Sequence, residues 1–291
     1  MSNNRVTIVT VTFNSLAVVP DMLKSVPSET PVVLVDNNSS DTDTLKVMAD
    51  DHGATLQLNA QNVGFGPACN QGAALAATEF LLFLNPDTEL QDGALENLVQ
   101  AAETYPDASG FNPQILDGSG KQSFRRGSKI RPKERWQGAL PRHDVEVPVL
   151  AGSAIFCRKA LFDQIGGFDP EIFMYHEDDD LSLRLRAHGP IMYCHAAQVV
   201  HLSGHGSPRL PATAAFKAYY SARSRAYTLE KHGHRRPKLN TLVAAILRVI
   251  GPDTLLNKRR RAKNFGYLRG ALSALKDGGR NSAIHLTPNK D

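Results

Sequence analysis

With 291 residues, 42% of them hydrophobic and 21% charged, the chain has the composition of a globular protein, one large domain or a domain with an appendage, with a sizeable core available and disorder not the default reading. Three cysteines, Cys69, Cys157 and Cys194, are an odd number without metal-like spacing, which excludes a disulfide framework and a structural zinc site. The formal charge of +4 hides an asymmetry: residues 231–291 hold 14 Lys/Arg against 3 Asp/Glu, a balance of +11, while residues 1–230 hold 19 against 26, or −7.

The N-terminus "MSNNRVTIVTVTFNS" has no basic stretch leading into an apolar one, so no secretory leader is expected. No run approaches the roughly 20 apolar residues that span a bilayer, and a cytoplasmic location is expected. "RVTIVTVTF" and "PVVLVDN" are short, Val/Ile-rich and bounded by turn residues, which predicts buried strands. Leu16 to Val26, between them, has helical apolar spacing. "ATLQLN" and "EFLLFLNP" are two more strands, separated by the Ala-rich helical segment Pro67 to Ala77. This βαβα order predicts a mostly parallel central sheet with helices on both faces. Residues 117–148 are polar, basic and rich in Gly and Pro, a long loop of the kind that is functional or mobile. "VPVLAGSAIFCRKALFDQIGGFD" returns to strand, helix and a Gly-Gly turn. The acidic segment "FMYHEDDDLSLRLRAHG" and "PIMYCHAAQVVHLSGHGS" follow, and from Thr213 onward the pattern is helical, broken at Pro237 and Gly251-Pro252.

Two tempting motifs fail. Gly64-x-Gly66 is followed by Cys69 where a dinucleotide fingerprint needs its third glycine, and the strand-end acid Asp36 precedes the glycines instead of following them. "HEDDD" begins like a zinc-protease helix, but Asp180 stands where the second histidine belongs. What remains is a set of polar strand ends, "VTFNS", "VDNNSSD" and "NPD", and in an open α/β sheet ligands bind outside the carboxyl ends of strands. Asn14, Asp36, Asn37 and Asp87 are therefore expected at one crevice. One or two of the adjacent acids Glu177, Asp178, Asp179 and Asp180 suit the first turn of a helix. Four repel each other, and only some are relieved locally, for example Asp180 by Arg184 at i+4. A functional role for the cluster follows.

In order, "VTFNS", "VDNNSSD", "NVGFGPACNQG", "FLNPD", "GGFDPEIFMYHEDDDLSLRLRAHG" and "HLSGHGS" resemble the family 2 glycosyltransferases, and within them the bacterial rhamnosyltransferase-like branch, over residues 5–207. The resemblance implies the GT-A fold over residues 1–207, followed by a basic helical extension over residues 208–291. It implies that Thr12, Phe13, Asn14, Asp36 and Asn37 hold the nucleoside of a nucleotide-diphosphate sugar, with Phe13 on the base, and that Asn62, Gly64 and Asn70 close over the donor. Turn and cap roles are the alternative for these three. Asp87 matches the last acid of the metal-binding triplet and Asn85 stands at its first position, leaving one strong carboxylate for Mg2+ or Mn2+, with His201 supplying an imidazole beside it. His205 receives no role. Asp178 matches the general base, held beneath the Gly166-Gly167 turn, with Asp179 its rival. Glu177 and Asp179 orient it or face the acceptor, and Gly152 and Ser153 leave room for the sugar ring. The loop residues Arg125, Arg126, Arg131, Lys133, Arg135 and Trp136 fall where relatives carry a mobile donor or acceptor loop, or they form a solvated surface.

The implied reaction is an inverting, metal-dependent transfer of a sugar, L-rhamnose from dTDP-rhamnose first, to a lipid-linked or polysaccharide acceptor in cell-surface glycan synthesis. A UDP-sugar (galactofuranosyl, galactosyl or glucosyl) transferase of the same fold is the alternative. The basic run Lys258–Lys263, flanked by apolar residues, reads as a helix lying on an anionic membrane, the inner face of the plasma membrane, or as an extension packed on the domain with a solvated basic face. A nucleic-acid-binding protein is the competing class, disfavoured because only Phe265 and Tyr267 accompany the basic residues as stacking aromatics.

Overall fold

The computed structural model describes residues 3–202, 210–251, 254 and 257–281. Strands β1 (Val6–Thr12), β2 (Val32–Asp36) and β4 (Phe80–Leu84) are buried along their whole length, as continuous β-branched and aromatic runs must be in a sheet covered on both faces. With β3 (Thr55–Leu58) they form a parallel block in the order β3-β2-β1-β4. The intervening helices are α1 (Val19–Ser25), α2 (Thr42–Asp51) and α3 (Phe65–Leu75). Asp41 caps α2 by accepting from the Thr44 amide at 3.0 Å, and this bond holds the Asp41 carboxyl below its usual range.

Beyond β4 the sheet becomes mixed. It continues through β5 (Thr88–Leu90), helix α4 (Ala94–Thr104), β6 (Gly110–Asp117), β7 (Gln122–Ser123), β8 (Val145–Glu146), β9 (Ala154–Arg158), helices α5 (Lys159–Gln164) and α6 (Glu177–Arg186), and β10 (Ile191–His201). β9 lies antiparallel between β4 and β6, β10 runs parallel to β6, and β5 runs antiparallel to β10 at the edge. The predicted parallel character thus belongs to the β3-β2-β1-β4 block and the β6–β10 pair. The 117–148 loop is a loop except for the two-residue strands β7 and β8.

Contacts gather the chain into two compact units, Met1–Val63 with Pro67–Phe168 and Asp178–Gly206, and Gly64–Gly66 with Asp169–Glu177 and Ser207–Asp291. In the first, Ile8, Leu34, Phe80, Leu82 and Phe156 form the sheet side of the main core under α1, α2 and α4. The Phe80 and Phe156 rings stack at 4.9 Å, and each such buried side chain contributes about 1.5–3 kcal/mol.

The second unit rests on α7 (Pro211–Lys231), α8 (Pro237–Ile250) and α9 (Lys258–Asp277). Gly266 and Gly270, one turn apart on α9, sit so close to α7 that a Cβ at either would run into the backbone carbonyl of Ala215 or Tyr219. The segment 169–177 belongs to this unit. Phe173 stacks on Tyr220 at 4.0 Å, and Asp169 accepts from the Tyr227 hydroxyl at 3.0 Å and from Lys231 at 2.6 Å. Among the described residues no helix is long and apolar enough to cross a membrane.

Candidate active site

Because β1, β2 and β4 are parallel neighbours, their carboxyl ends share one edge of the sheet. Two of the three meet directly. The Thr12 hydroxyl donates to Asp36 Oδ1 at 2.9 Å, the Asn37 amide donates to the Thr12 carbonyl at 2.8 Å, and the Ser39 amide donates to Asp36 Oδ2 at 2.7 Å. Asn14 has φ 52, a left-handed conformation that Asn tolerates. Its amide donates to Ser39 Oγ at 2.8 Å and its Oδ1 accepts from the Ser40 amide at 2.9 Å. Asn59 ties Asn37 to α3 by donating to Asn37 Oδ1 at 3.0 Å and to Gln71 Oε1 at 2.8 Å. Thr12, Asp36 and Asn37 are buried, so in this arrangement they build the turn. Phe13 is half-buried and Asn14 exposed, which makes these two the members that face outward.

The end of β4 carries the third cluster. The Asn85 amide donates to the Ser153 carbonyl at 2.9 Å. The antiparallel β5–β10 pair brings Asp87 and His201 together, Oδ1 to Nε2 at 3.2 Å, with the Leu202 amide donating to the Asp87 carbonyl at 2.9 Å. A carboxylate and an imidazole this close can share one divalent cation. Among the described residues no group of three or more His, Cys, Asp or Glu side chains gathers as a metal site, so the remaining ligands would be phosphate oxygens and water, as suits Mg2+ or Mn2+. His205 lies outside the described residues.

Of the residues expected to close over the donor, Asn70 is a structural clamp. Its side chain donates to the Phe168 carbonyl and accepts from the Phe168 amide, both at 2.8 Å. Gly167, at φ 64, lies against Asn70 and Phe162. The Gly-Gly turn thus leads into the residue that Asn70 holds, Phe168. Gly64 has φ 98 and approaches the Phe173 backbone so closely that no Cβ fits, the Phe65 amide donating to the Phe173 carbonyl at 2.9 Å. Its role there is backbone approach. Asn62 is half-buried.

The acidic run is sorted by helix α6. Tyr175 and His176 precede it with φ 67 and 70, a strained entry costing about 1–3 kcal/mol per residue. Asp180 is fully buried and pairs with Arg184 at 2.8 Å, as the i+4 spacing predicts. The Asp179 side chain is 2% exposed and that of Asp178 17%. Asp178 Oδ1 accepts from the Asp179 amide at 2.8 Å and Oδ2 from the Gly152 amide at 3.2 Å. At Gly152 a Cβ would stand 3.0 Å from Asp178 Oδ2, so a side chain there would crowd the carboxylate.

One partner was not legible in the sequence. Arg125, just after β7, forks across the pair, Nη1 donating to Asp178 Oδ2 and Nη2 to Asp179 Oδ1, the latter at 2.7 Å. Its Nη1 also donates to the Leu150 carbonyl at 3.0 Å. Trp136 is turned into its own loop, its indole N–H donating to the Ala139 carbonyl at 2.8 Å and its ring meeting Phe124 edge-on. The loop so contributes an arginine to the acids, while its tryptophan is engaged locally.

A mixed α/β sheet flanked by helices, with polar strand ends on one edge, is the architecture of the GT-A class. The chain belongs to Glycosyl transferase family 2, whose sequence model matches residues 7–166, more than half of it. The N-acetylglucosaminyl-diphospho-decaprenol L-rhamnosyltransferase of Mycobacterium tuberculosis is 29% identical over 222 residues, which is 65% of this chain and 72% of that protein. Two solved structures share the fold. S. aureus TarS 1–349 in complex with UDP has a TM-score of 0.56 at 17% identity, covering 94% of this chain and 92% of that one. The mannosyltransferase PcManGT from Pyrobaculum calidifontis, in complex with GDP-Man and Mn2+, has a TM-score of 0.58 at 16% identity, covering 94% and 87%. Family membership decides for an enzyme over a nucleic-acid-binding module.

Proposed function

We propose that the chain is an inverting transferase that moves L-rhamnose from dTDP-rhamnose to a lipid-linked or polysaccharide acceptor in cell-surface glycan synthesis. The likeness to the mycobacterial rhamnosyltransferase supports the sugar and the acceptor class. The observation that carries the chemistry is the difference in burial within the acidic run: all three aspartates are ion-paired, but the Asp178 side chain is 17% exposed while those of Asp179 and Asp180 are 2% and 0%.

An inverting transfer needs a base on the acceptor side, opposite the departing diphosphate. The acceptor hydroxyl approaches Asp178 Oδ2, where Arg125 now donates, and gives its proton to that oxygen as its own oxygen bonds to the anomeric carbon and the bond to the diphosphate breaks. The Gly152 and Asp179 amides hold the carboxylate in place through the step. The Thr12–Asp36 turn presents Phe13 and Asn14 to the nucleoside. Asp87 and His201 would hold Mg2+ or Mn2+, which neutralises the departing diphosphate when bound.

Thermal stability with dTDP, UDP, GDP and CDP, each with and without Mn2+, tests the reading. A nucleotide at 100 times its Kd stabilises by about 2.7 kcal/mol, a shift of several degrees. The expected result is a Mn2+-dependent shift with dTDP alone. A shift with UDP alone would keep the mechanism and replace the sugar, and the same shift in Asp87→Ala would remove Asp87 as a metal ligand.

A further inference from the structure

Helix α8 buries one side and exposes the other. Thr241 and Ala245 are buried, while Leu239, Val243, Ile246, Leu247 and Ile250 remain 46–71% exposed. At α-helical spacing these five fall within about 100° of arc, opposite Thr241 and Ala245. Single exposed aliphatic side chains are ordinary, but five on one stripe mark an interaction surface. On α9, Phe265, Leu272 and Leu275 are 44–47% exposed. They share the outer side of that helix with the exposed Lys258, Arg261, Arg269 and Lys276.

The two helices run antiparallel. Lys238 at the start of α8 lies by Gly278 at the end of α9, and Ala245 packs with Tyr267 and Ala271. At the other end the Arg248 guanidinium sits 3.9 Å over the Tyr267 ring and the Asn264 amide donates to the Arg248 carbonyl at 3.1 Å. The apolar end of α8, Ile246–Ile250, therefore lies beside the basic start of α9, Lys258–Lys263. Between Pro237 and Lys276 the sequence has nine Lys/Arg and a single acid, Asp253.

We propose that this face lies on an anionic lipid bilayer, the α8 stripe sunk into the boundary between headgroups and acyl chains and the surrounding Lys and Arg on lipid phosphates. The charge selects this occupant. A second copy would bring one strongly basic face against another, and nucleic acid has no use for an aliphatic stripe without stacking aromatics. With 14 residues, α8 is about 21 Å long, too short to cross a hydrocarbon core of about 30 Å, so it lies on the surface. The proposal does not depend on which donor the enzyme uses.

Co-sedimentation of the full chain with vesicles tests it, one set containing phosphatidylglycerol and the other phosphatidylcholine alone. The chain is expected to pellet with the first, less so as salt is raised, and to stay in solution with the second. Leu247→Asp with Ile250→Asp should weaken binding at least tenfold, and Lys258→Gln or Arg261→Gln about fivefold each. Leu247→Ser with Ile250→Ser is the milder pair should the first not fold, an unchanged melting curve being the check. A chain that ignores phosphatidylglycerol vesicles, or binds them equally well without the stripe, overturns the proposal. So does self-association in solution that the same pair abolishes, which would give the face to a second copy.

Discussion

Asp178 and Asp179 are adjacent in sequence and both paired with Arg125, yet the Asp178 side chain is 17% exposed and that of Asp179 only 2%, so of the two Asp178 has the carboxylate that an incoming hydroxyl can reach. Asp178→Asn should therefore reduce kcat by three orders of magnitude or more and leave the nucleotide-induced melting shift unchanged, because the amide keeps the shape and loses the proton acceptor. Asp179→Asn should cost stability before it costs chemistry, since it weakens a buried charge pair. Steady-state rates and melting curves on both variants separate the two, and full turnover in Asp178→Asn would transfer the base role to Asp179. Arg125 relieves the repulsion between two neighbouring carboxylates and so holds Asp178 in position, and in the proposed reaction its Nη1 gives up Oδ2 as the acceptor hydroxyl arrives. Arg125→Ala is expected to lower kcat at least tenfold, about 1.4 kcal/mol in the barrier, with nucleotide binding intact. Arg125→Lys should recover only part of that, because an ammonium cannot bridge two carboxylates with a planar fork. Unchanged kcat in Arg125→Ala would make the pair a surface contact only. The acids themselves were legible as an improbable run of like charge. Arg125 was not, because the 117–148 loop holds several equivalent cations and nothing local says which one folds back onto α6.

At the scale of elements, legibility followed burial. β1, β2 and β4 are covered on both faces and read as continuous Val, Ile, Leu and Phe. β6 carries Pro113 in its middle, and the structure shows why a proline is tolerated there. Cys194 of β10 pairs with Pro113 and the next pair is Gln198 with Gln114, so β10 bulges where the ladder would have needed the missing N–H. The bulged His195 amide is satisfied by Asp144 at 2.8 Å. Asp87 was legible as a strand-end residue and His201 only through the family resemblance, and their pairing depends on β5, three residues long, which sequence periodicity cannot announce. The α7–α9 contact is more demanding of sequence than its helical pattern suggested. Gly270 has the Tyr219 carbonyl in the place of a Cβ, so Gly270→Ala must push two helices apart despite the better helix propensity of alanine. Overpacking of this kind costs about 1–3 kcal/mol. A denaturant midpoint equal to or above that of the parent would mean that α9 shifts without penalty.

At the scale of the whole molecule, the second unit is not a plain C-terminal addition, since Gly64–Gly66 and Asp169–Glu177 are part of it. Phe173 is 3% exposed and Tyr220, on which it stacks, also 3%. The Ser224 hydroxyl donates to the Met174 carbonyl at 2.8 Å, and Asp169 draws both its side-chain partners named above from α7. A chain ended at residue 207 would strip the 169–177 segment of these contacts. Burying Phe173 alone is worth about 1.5–3 kcal/mol, and the loss falls immediately before the helix that presents Asp178. Such a truncated chain is expected to melt at lower temperature than the parent, and amide exchange across 169–177 should approach that of an exposed loop while β1, β2 and β4 stay protected. Transfer activity should fall with it. If the shortened chain keeps 169–177 protected and turns over at the parent rate, that segment draws its order from the first unit and the helical part is dispensable to the chemistry.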